Sequence, residues 1–152
     1  MGFFFNRLQD DRRAKRERHE RWDENLLNYA SNVVTMVRQF IQDGMEYDMV
    51  VGTLADAAVN QMGAGESVLP PPIGEASIVA LDDSFEALMR QIATLKLVAP
   101  ASVRDVASRL ESEAPKLLKA NTEHVMTQEG LHRLHQMALE LEEAVRKHFG
   151  ID

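Results

Sequence analysis

The quartet Glu129-Gly-Leu-His132, followed by His135, is the best candidate for metal chemistry in this sequence. Residues three apart lie on one face of a helix, where a carboxylate and an imidazole can bind the same ion. A two-metal site inside a helical bundle needs a second Glu-x-x-His quartet and two further inward glutamates, and the sequence has no second quartet. Glu129 and His132 also flank Leu131 and do not share its inward register. We therefore expect these residues on the surface of a helix's first turns, with no metal bound.

Other catalytic signatures are also missing from the sequence. There is no cysteine, which excludes thiol nucleophiles, disulfides and cysteine-bound zinc. There is no Gly-x-Ser-x-Gly motif for a nucleophilic serine and no glycine-rich phosphate-binding motif. We therefore expect a protein without catalytic residues and without a cofactor.

The first 21 residues, MGFFFNRLQDDRRAKRERHER, could instead provide an anchor for a partner. Phe3, Phe4 and Phe5 are consecutive large apolar residues, which are costly to expose and often mark an interaction site. The run behind them holds seven basic and four acidic residues. Several opposite charges stand four residues apart, as Arg16 and Glu20 do, and such pairs support a helix without any core.

Three roles remain open for this segment. The phenylalanines could dock in a groove of a partner protein or of a second copy, or fold back over the open end of the domain. They could also insert at a membrane surface with Arg7, Arg12 and Arg13 near anionic head groups. A nucleic-acid arm is disfavoured, because acids interrupt the bases and residues 22–152 carry a net charge of −10. Trp22 is a further candidate anchor, although its apolar register favours core packing.

Apolar residues recur at steps of three and four along the chain, without the alternation typical of strands, which predicts an all-α protein. The first helix is predicted to begin after Asn6 and to end at about Asp43, with Gly44 as a left-handed stop. A second helix is predicted from about Glu46 to Met62. The first helix has two adjacent apolar stripes, which are Trp22, Leu26, Tyr29, Val33, Met36 and Phe40, and Leu27, Ala30, Val34, Val37 and Ile41.

Residues 63–74 hold three glycines and three consecutive prolines, which predicts a stiff connector. The third helix is predicted from about Glu75 to Val98, where Pro100 prevents its continuation. Its stripe of Ile78, Leu81, Phe85, Leu88, Ile92, Leu95 and Ala99 is unbroken.

Two further helices are predicted in the C-terminal part of the chain. Pro115 lies inside the apolar pattern that follows Pro100 and should kink or split that helix near Ala114. Thr122 or Thr127 caps the last helix, which Gly150 ends. The last stripe is Leu131, Leu134, Ala138, Leu141, Val145 and Phe149.

Four to five amphipathic helices can bury their apolar faces only against one another, which predicts a helical bundle. We expect residues 1–21 to form a charged helical extension with a Phe-rich tip, and residues 22–152 to form the bundle. No apolar run reaches the roughly 18 residues of a membrane span, and the Phe-rich start does not fit a signal peptide. The sequence thus predicts a cytoplasmic, self-associating interaction or scaffold protein that engages a partner through its N-terminal segment. Peripheral membrane association is the alternative, and a metal-binding enzyme the least favoured one.

Overall fold

The computed structural model describes the backbone of residues 3–62, 73–121 and 127–151, and the side chains of residues 20–54, 56, 78–118 and 127–151. These residues form four α-helices and no strand, which confirms the all-α prediction. The helices are α1 (Phe3–Met62), α2 (Ile73–Val98), α3 (Ala101–Asn121) and α4 (Gln128–Phe149). Most of the predicted connector, residues 63–72, lies outside the described residues.

The four helices surround one apolar core. In the described parts of the chain, α1 packs against α2 and α4, α3 packs against the same two helices, and neither diagonal pair is in contact. The largest fully buried side chains come from all four helices, and these are Phe40, Leu88, Ile92, Leu95, Leu110, Leu134 and Leu141. Every one of these positions belongs to an apolar stripe that recurs at steps of three and four.

The first two predicted helices are one helix, so the predicted stop at Gly44 is wrong. α1 continues from Phe3 to Met62 without a break. Gly44 is buried and lies four residues after Phe40, so it continues the core-facing stripe. A glycine ends a helix where the chain turns into a left-handed conformation, and Gly150 is the only glycine with a positive φ among the described residues. Core packing on both sides of Gly44 therefore outweighs its low helix propensity.

Three other helix limits are where the sequence predicts them, at Pro100, at Thr127, which is one of the two predicted caps, and at Gly150. α2 ends at Val98, just before Ala99 and Pro100. Thr127 caps α4, and its hydroxyl accepts a hydrogen bond from the Gly130 backbone N–H at 3.2 Å. Gly150 closes α4 with φ 63° and ψ 32°, and its N–H donates to carbonyls of the last turn.

Pro115 does not split its helix, contrary to the expectation of a possible break near Ala114. α3 runs from Ala101 to Asn121 with Pro115 in its interior. Proline removes one backbone donor and usually costs a helix interior about 3 kcal/mol or more. The neighbouring side chains Leu110, Ala114 and Leu117 are buried in the core, and this burial holds α3 helical through the proline.

The helices differ greatly in length. At 1.5 Å per residue, the 60 residues of α1 extend about 90 Å, whereas the 26 residues of α2 extend about 39 Å and the 22 residues of α4 about 33 Å. Neither α2 nor α4 can therefore cover α1 along its whole length. Phe85 lies at the middle of α2 and contacts Phe40, so α2 covers α1 from about residue 27 to about residue 53. The first turns of α1 extend beyond both α2 and α4.

Candidate functional site

The predicted N-terminal anchor residues lie on the first turns of α1. Phe3, Phe4, Phe5, Arg7, Arg12 and Arg13 all fall within this helix. Their side chains are outside the described part of the structure, so their anchoring role stays a prediction. α1 also passes residue 21 as a continuous helix, and the predicted domain limit there produces no break in the backbone.

Trp22 is the first large apolar side chain that the structure describes on α1, and it is 53% exposed. Core packing, which its register favours, is therefore wrong. Leu26, one turn later, is only 2% exposed, so the buried stripe begins there. Trp22 lies beyond the residues that α2 and α4 cover, which leaves an indole ring in solvent where α1 leaves the bundle.

α1 carries much of the exposed apolar surface of the described residues. Its side chains Trp22, Leu27, Met45 and Met49 are 53%, 44%, 56% and 67% exposed. Large exposed apolar residues elsewhere in the described part are Ile78, Val79, Leu97, Leu139 and Ile151. Single exposed apolar residues are common in soluble proteins, and of the four on α1 only Trp22 precedes the part of the helix that α2 covers.

A groove of about 340 Å³ runs between α1 and α4. Leu27, Ala30 and Val34 of α1 and Val145 of α4 supply its apolar walls. Leu27 was predicted to be inward, but it is 44% exposed and lines this groove instead. The sequence could not indicate the groove, because its two walls lie more than 100 residues apart.

One end of the groove is closed by an ion pair. The Arg38 guanidinium donates to a Glu142 carboxylate oxygen at 2.9 Å, and both side chains are exposed to water. Such a surface pair contributes at most about 1 kcal/mol to stability. The ion pair mainly orients the two helices, because it joins the C-terminal half of α4 to residue 38 of α1.

The suspected metal ligands do not form a site. Glu129 and His132 are exposed, as is His135, and the Glu129 carboxylate accepts a hydrogen bond from Arg133 at 3.1 Å. In the described portion of the chain no three His, Cys, Asp or Glu side chains converge as metal ligands would. These residues are placed where the sequence analysis expects them, on the exposed first turns of α4.

Ion pairs connect α3 to its neighbours. Lys96 of α2 lies 2.5 Å from Glu111, and Arg109 lies 2.6 Å from Glu140 of α4. Glu113 accepts a hydrogen bond from Lys116 and lies 3.5 Å from Arg133 of α4. The hydrogen bond from Lys116 and the positive charges of Lys116 and Arg133 lower the pKa of the Glu113 carboxyl group, against a smaller opposing effect of burial.

The described helices contain no segment with the length and apolarity needed to cross a bilayer.

Comparisons with known proteins identify no relative. The sequence matches no protein-family model, and neither a curated protein nor a solved structure is significantly similar to it.

Proposed function

We propose that this protein is a non-catalytic interaction protein that self-associates and uses the N-terminal part of α1 to engage a protein partner. The observation that supports this proposal is the mismatch between the roughly 90 Å of α1 and the much shorter helices that cover it. About 23 residues precede Leu26, the first buried residue that the structure describes on α1. Among the described helices, α2 and α4 are too short to cover these residues along their whole length.

Trp22 strengthens the proposal, because tryptophan is enriched among the residues that dominate binding energy at protein interfaces. Its indole is half exposed at the base of the overhang, where a partner that follows α1 would meet it. Burial of such a ring on association removes a large apolar surface from water.

The test compares the full-length protein with a variant lacking residues 1–21, by light-scattering mass measurement. We expect the full-length protein to have the mass of more than one copy, and the truncated protein to have a smaller mass. Circular dichroism of both proteins checks that the bundle remains folded after truncation. An unchanged mass after truncation would contradict the proposed role of this segment.

The membrane alternative is tested with the same proteins and anionic liposomes. If the full-length protein is a monomer in solution but sediments with liposomes, and Phe3/Phe4/Phe5→Ser abolishes that sedimentation, the segment contacts membranes instead of proteins. A matched variant with Ile151→Ser removes an exposed apolar residue elsewhere and should leave sedimentation unchanged.

A further inference from the structure

The charge of the chain is strongly polarised, although its net value is only −7. Residues 1–21 carry a net charge of +3, and residues 39–89 contain nine acidic residues and no lysine, arginine or histidine. Residues 90–152 hold nine acidic and nine basic residues and are balanced. The excess negative charge is therefore concentrated in residues 39–89, which include the second half of α1 and the first half of α2.

Six of the nine acidic residues in the balanced part of the chain form ion pairs in the structure. The acidic residues that form ion pairs between positions 111 and 143 are Glu111, Glu113, Glu129, Glu140, Glu142 and Glu143. Acidic side chains in this part of the molecule are therefore largely paired with basic ones.

Several exposed acidic side chains of residues 39–89 form no such ion pair. Glu46 and Asp56 of α1 and Asp82, Asp83 and Glu86 of α2 are exposed, and no ion pair within the described residues includes them. Asp82 and Glu86 are one helical turn apart, where like charges destabilise a helix slightly. A positive surface that covered these residues would relieve that repulsion.

The buried stripe of α1 can be followed toward the N-terminus, ahead of the bundle, where some of its positions are charged. Steps of four and three residues backward from Leu26 reach Trp22, His19, Lys15 and Arg12. Two of these positions, Lys15 and Arg12, are therefore basic in a register that is apolar and buried inside the bundle, before Leu8 and Phe5 make it apolar again. Arg12 also has no acidic residue three or four positions away on either side, and the same holds for Arg18, so pairing within the helix does not neutralise them.

We propose that this basic part of α1, residues 3–21, binds the acidic part of a second copy of the chain through its described exposed side chains, Glu46 and Asp56 of α1 and Asp82, Asp83 and Glu86 of α2. The inference rests on the proposed function, in which this segment engages a partner, and it identifies that partner. Within one chain the two parts cannot meet, because α1 is a single helix and Arg12 lies 34 residues before Glu46, about 51 Å along the axis. Asp82, Asp83 and Glu86 lie within one helical turn of Phe85, which contacts Phe40, so they are also far from Arg12. Only another molecule can bring the opposite charges together.

Electrostatic attraction of this kind orients the approach of the two chains and is screened by salt. Trp22 lies at the base of the basic segment and becomes desolvated when the second chain docks, which adds an apolar contribution to the charge pairing. Association is therefore expected to weaken with added salt.

Charge reversal in the full-length protein tests the inference. Arg12→Glu/Arg18→Glu reverses charge in the basic segment, and Asp83→Lys/Glu86→Lys reverses it in the acidic part. We expect the wild type to have the mass of two or more copies at low salt and to approach the monomer mass at high salt. Each double variant alone should be monomeric, and the chain with all four substitutions should associate again.

Mixing provides a second measurement. The two double variants, each monomeric alone, should associate when mixed, since the mixture contains one wild-type basic segment and one wild-type acidic part. The variant Gln128→Glu/Gln136→Glu adds two negative charges at exposed positions of α4 and should associate as the wild type does. Thermal melts of all variants check folding.

The outcomes separate this inference from the proposed function. If truncation of residues 1–21 dissociates the protein but neither the fourfold variant nor the mixture associates, the segment engages a partner at another surface and this inference is overturned. A wild type that stays associated at high salt also overturns it. If truncation leaves the mass unchanged, the proposed function itself fails.

Discussion

Phe40 of α1 and Phe85 of α2 pack with ring centroids 5.8 Å apart and ring planes inclined by 49°. This tilted geometry is typical of favourable aromatic pairs. Phe40 is fully buried, and Phe85 lies half-buried against the core. Because Phe85 is at the middle of α2, this contact determines which part of α1 is covered and leaves the N-terminal turns of α1 beyond the bundle.

Replacement of Phe40 should have a large effect on stability. We expect Phe40→Ala to lower the free energy of unfolding by about 3–5 kcal/mol, through lost burial and the cavity left between α1 and α2. Chemical denaturation monitored by circular dichroism measures the change. Met49→Ala, at a side chain 67% exposed on the same helix, should change it by no more than about 0.5 kcal/mol.

Gly52 is a position where a methyl group should stabilise the protein. It lies inside α1, and a Cβ atom built there meets nothing within 4 Å. Alanine in a helix interior is favoured over glycine by about 0.5–1 kcal/mol, so Gly52→Ala should raise the denaturation midpoint. An unchanged or lower midpoint would show that this part of α1 does not unfold together with the bundle.

Gly130 is the matched position where the same substitution should fail. A Cβ atom there would lie 2.1 Å from Cδ2 of Leu117, which is only 6% exposed and has little room to move. Overpacking of a core costs about 1–3 kcal/mol, which exceeds the gain in helix propensity. We expect Gly130→Ala to lower the free energy of unfolding by about 1 kcal/mol, measured as for Gly52→Ala.

The N-cap of α4 should make a measurable contribution. Thr127→Ala removes the hydroxyl that accepts from the Gly130 N–H, with an expected loss of about 1 kcal/mol. Thr127→Ser keeps the acceptor and should retain most of the stability. Equal losses of stability in the two variants would mean that the hydrogen bond of the Thr127 hydroxyl does not contribute the measured stability.

Glu113 should make stability depend on pH. Its pKa is lowered in the folded protein, chiefly by the hydrogen bond from Lys116, so the unfolded chain binds its proton more readily. The stabilising contribution is therefore present above the unfolded pKa of about 4.3 and is lost as the pH falls through the lower folded value. Urea midpoints at neutral pH and at about pH 3 should show Glu113→Gln less stable than the wild type only near neutrality.

A matched substitution controls for the general effect of acid. Glu46 is exposed and takes part in no ion pair with the described residues, so Glu46→Gln should shift both midpoints much less. A pH response of Glu113→Gln identical to that of the wild type would contradict the role of Lys116 and Arg133.

Trp22, the only tryptophan of the chain, reports on the overhang directly. A side chain 53% exposed should be accessible to acrylamide in the dilute, high-salt protein. On association at low salt its fluorescence should shift to shorter wavelength and become less quenchable, because the ring leaves water. Arg12→Glu/Arg18→Glu should remove this salt dependence, and protection that persists in that variant would place the contact elsewhere.

Local chemistry made several features predictable from the sequence. The periodic stripes predicted an all-α protein and most of its core, because a helix buries the residues that recur at its own period. Pro100 and Gly150 marked helix limits correctly, and Thr127 is the one of the two predicted caps that the structure selects, since a missing donor, a left-handed residue and a capping hydroxyl each act within one or two turns. The exposure of Glu129 and His132 also followed from their positions beside Leu131.

Only the tertiary structure decided the remainder. Gly44 and Pro115 are helix-breaking residues by local propensity, but packing of the residues around them keeps α1 and α3 helical. Leu27 and Trp22 have apolar registers that predict burial, and both are exposed because α2 and α4 are shorter than α1 or leave a groove beside it. Periodicity specifies which face of a helix is apolar, whereas the length and position of its neighbours decide how much of that face is covered.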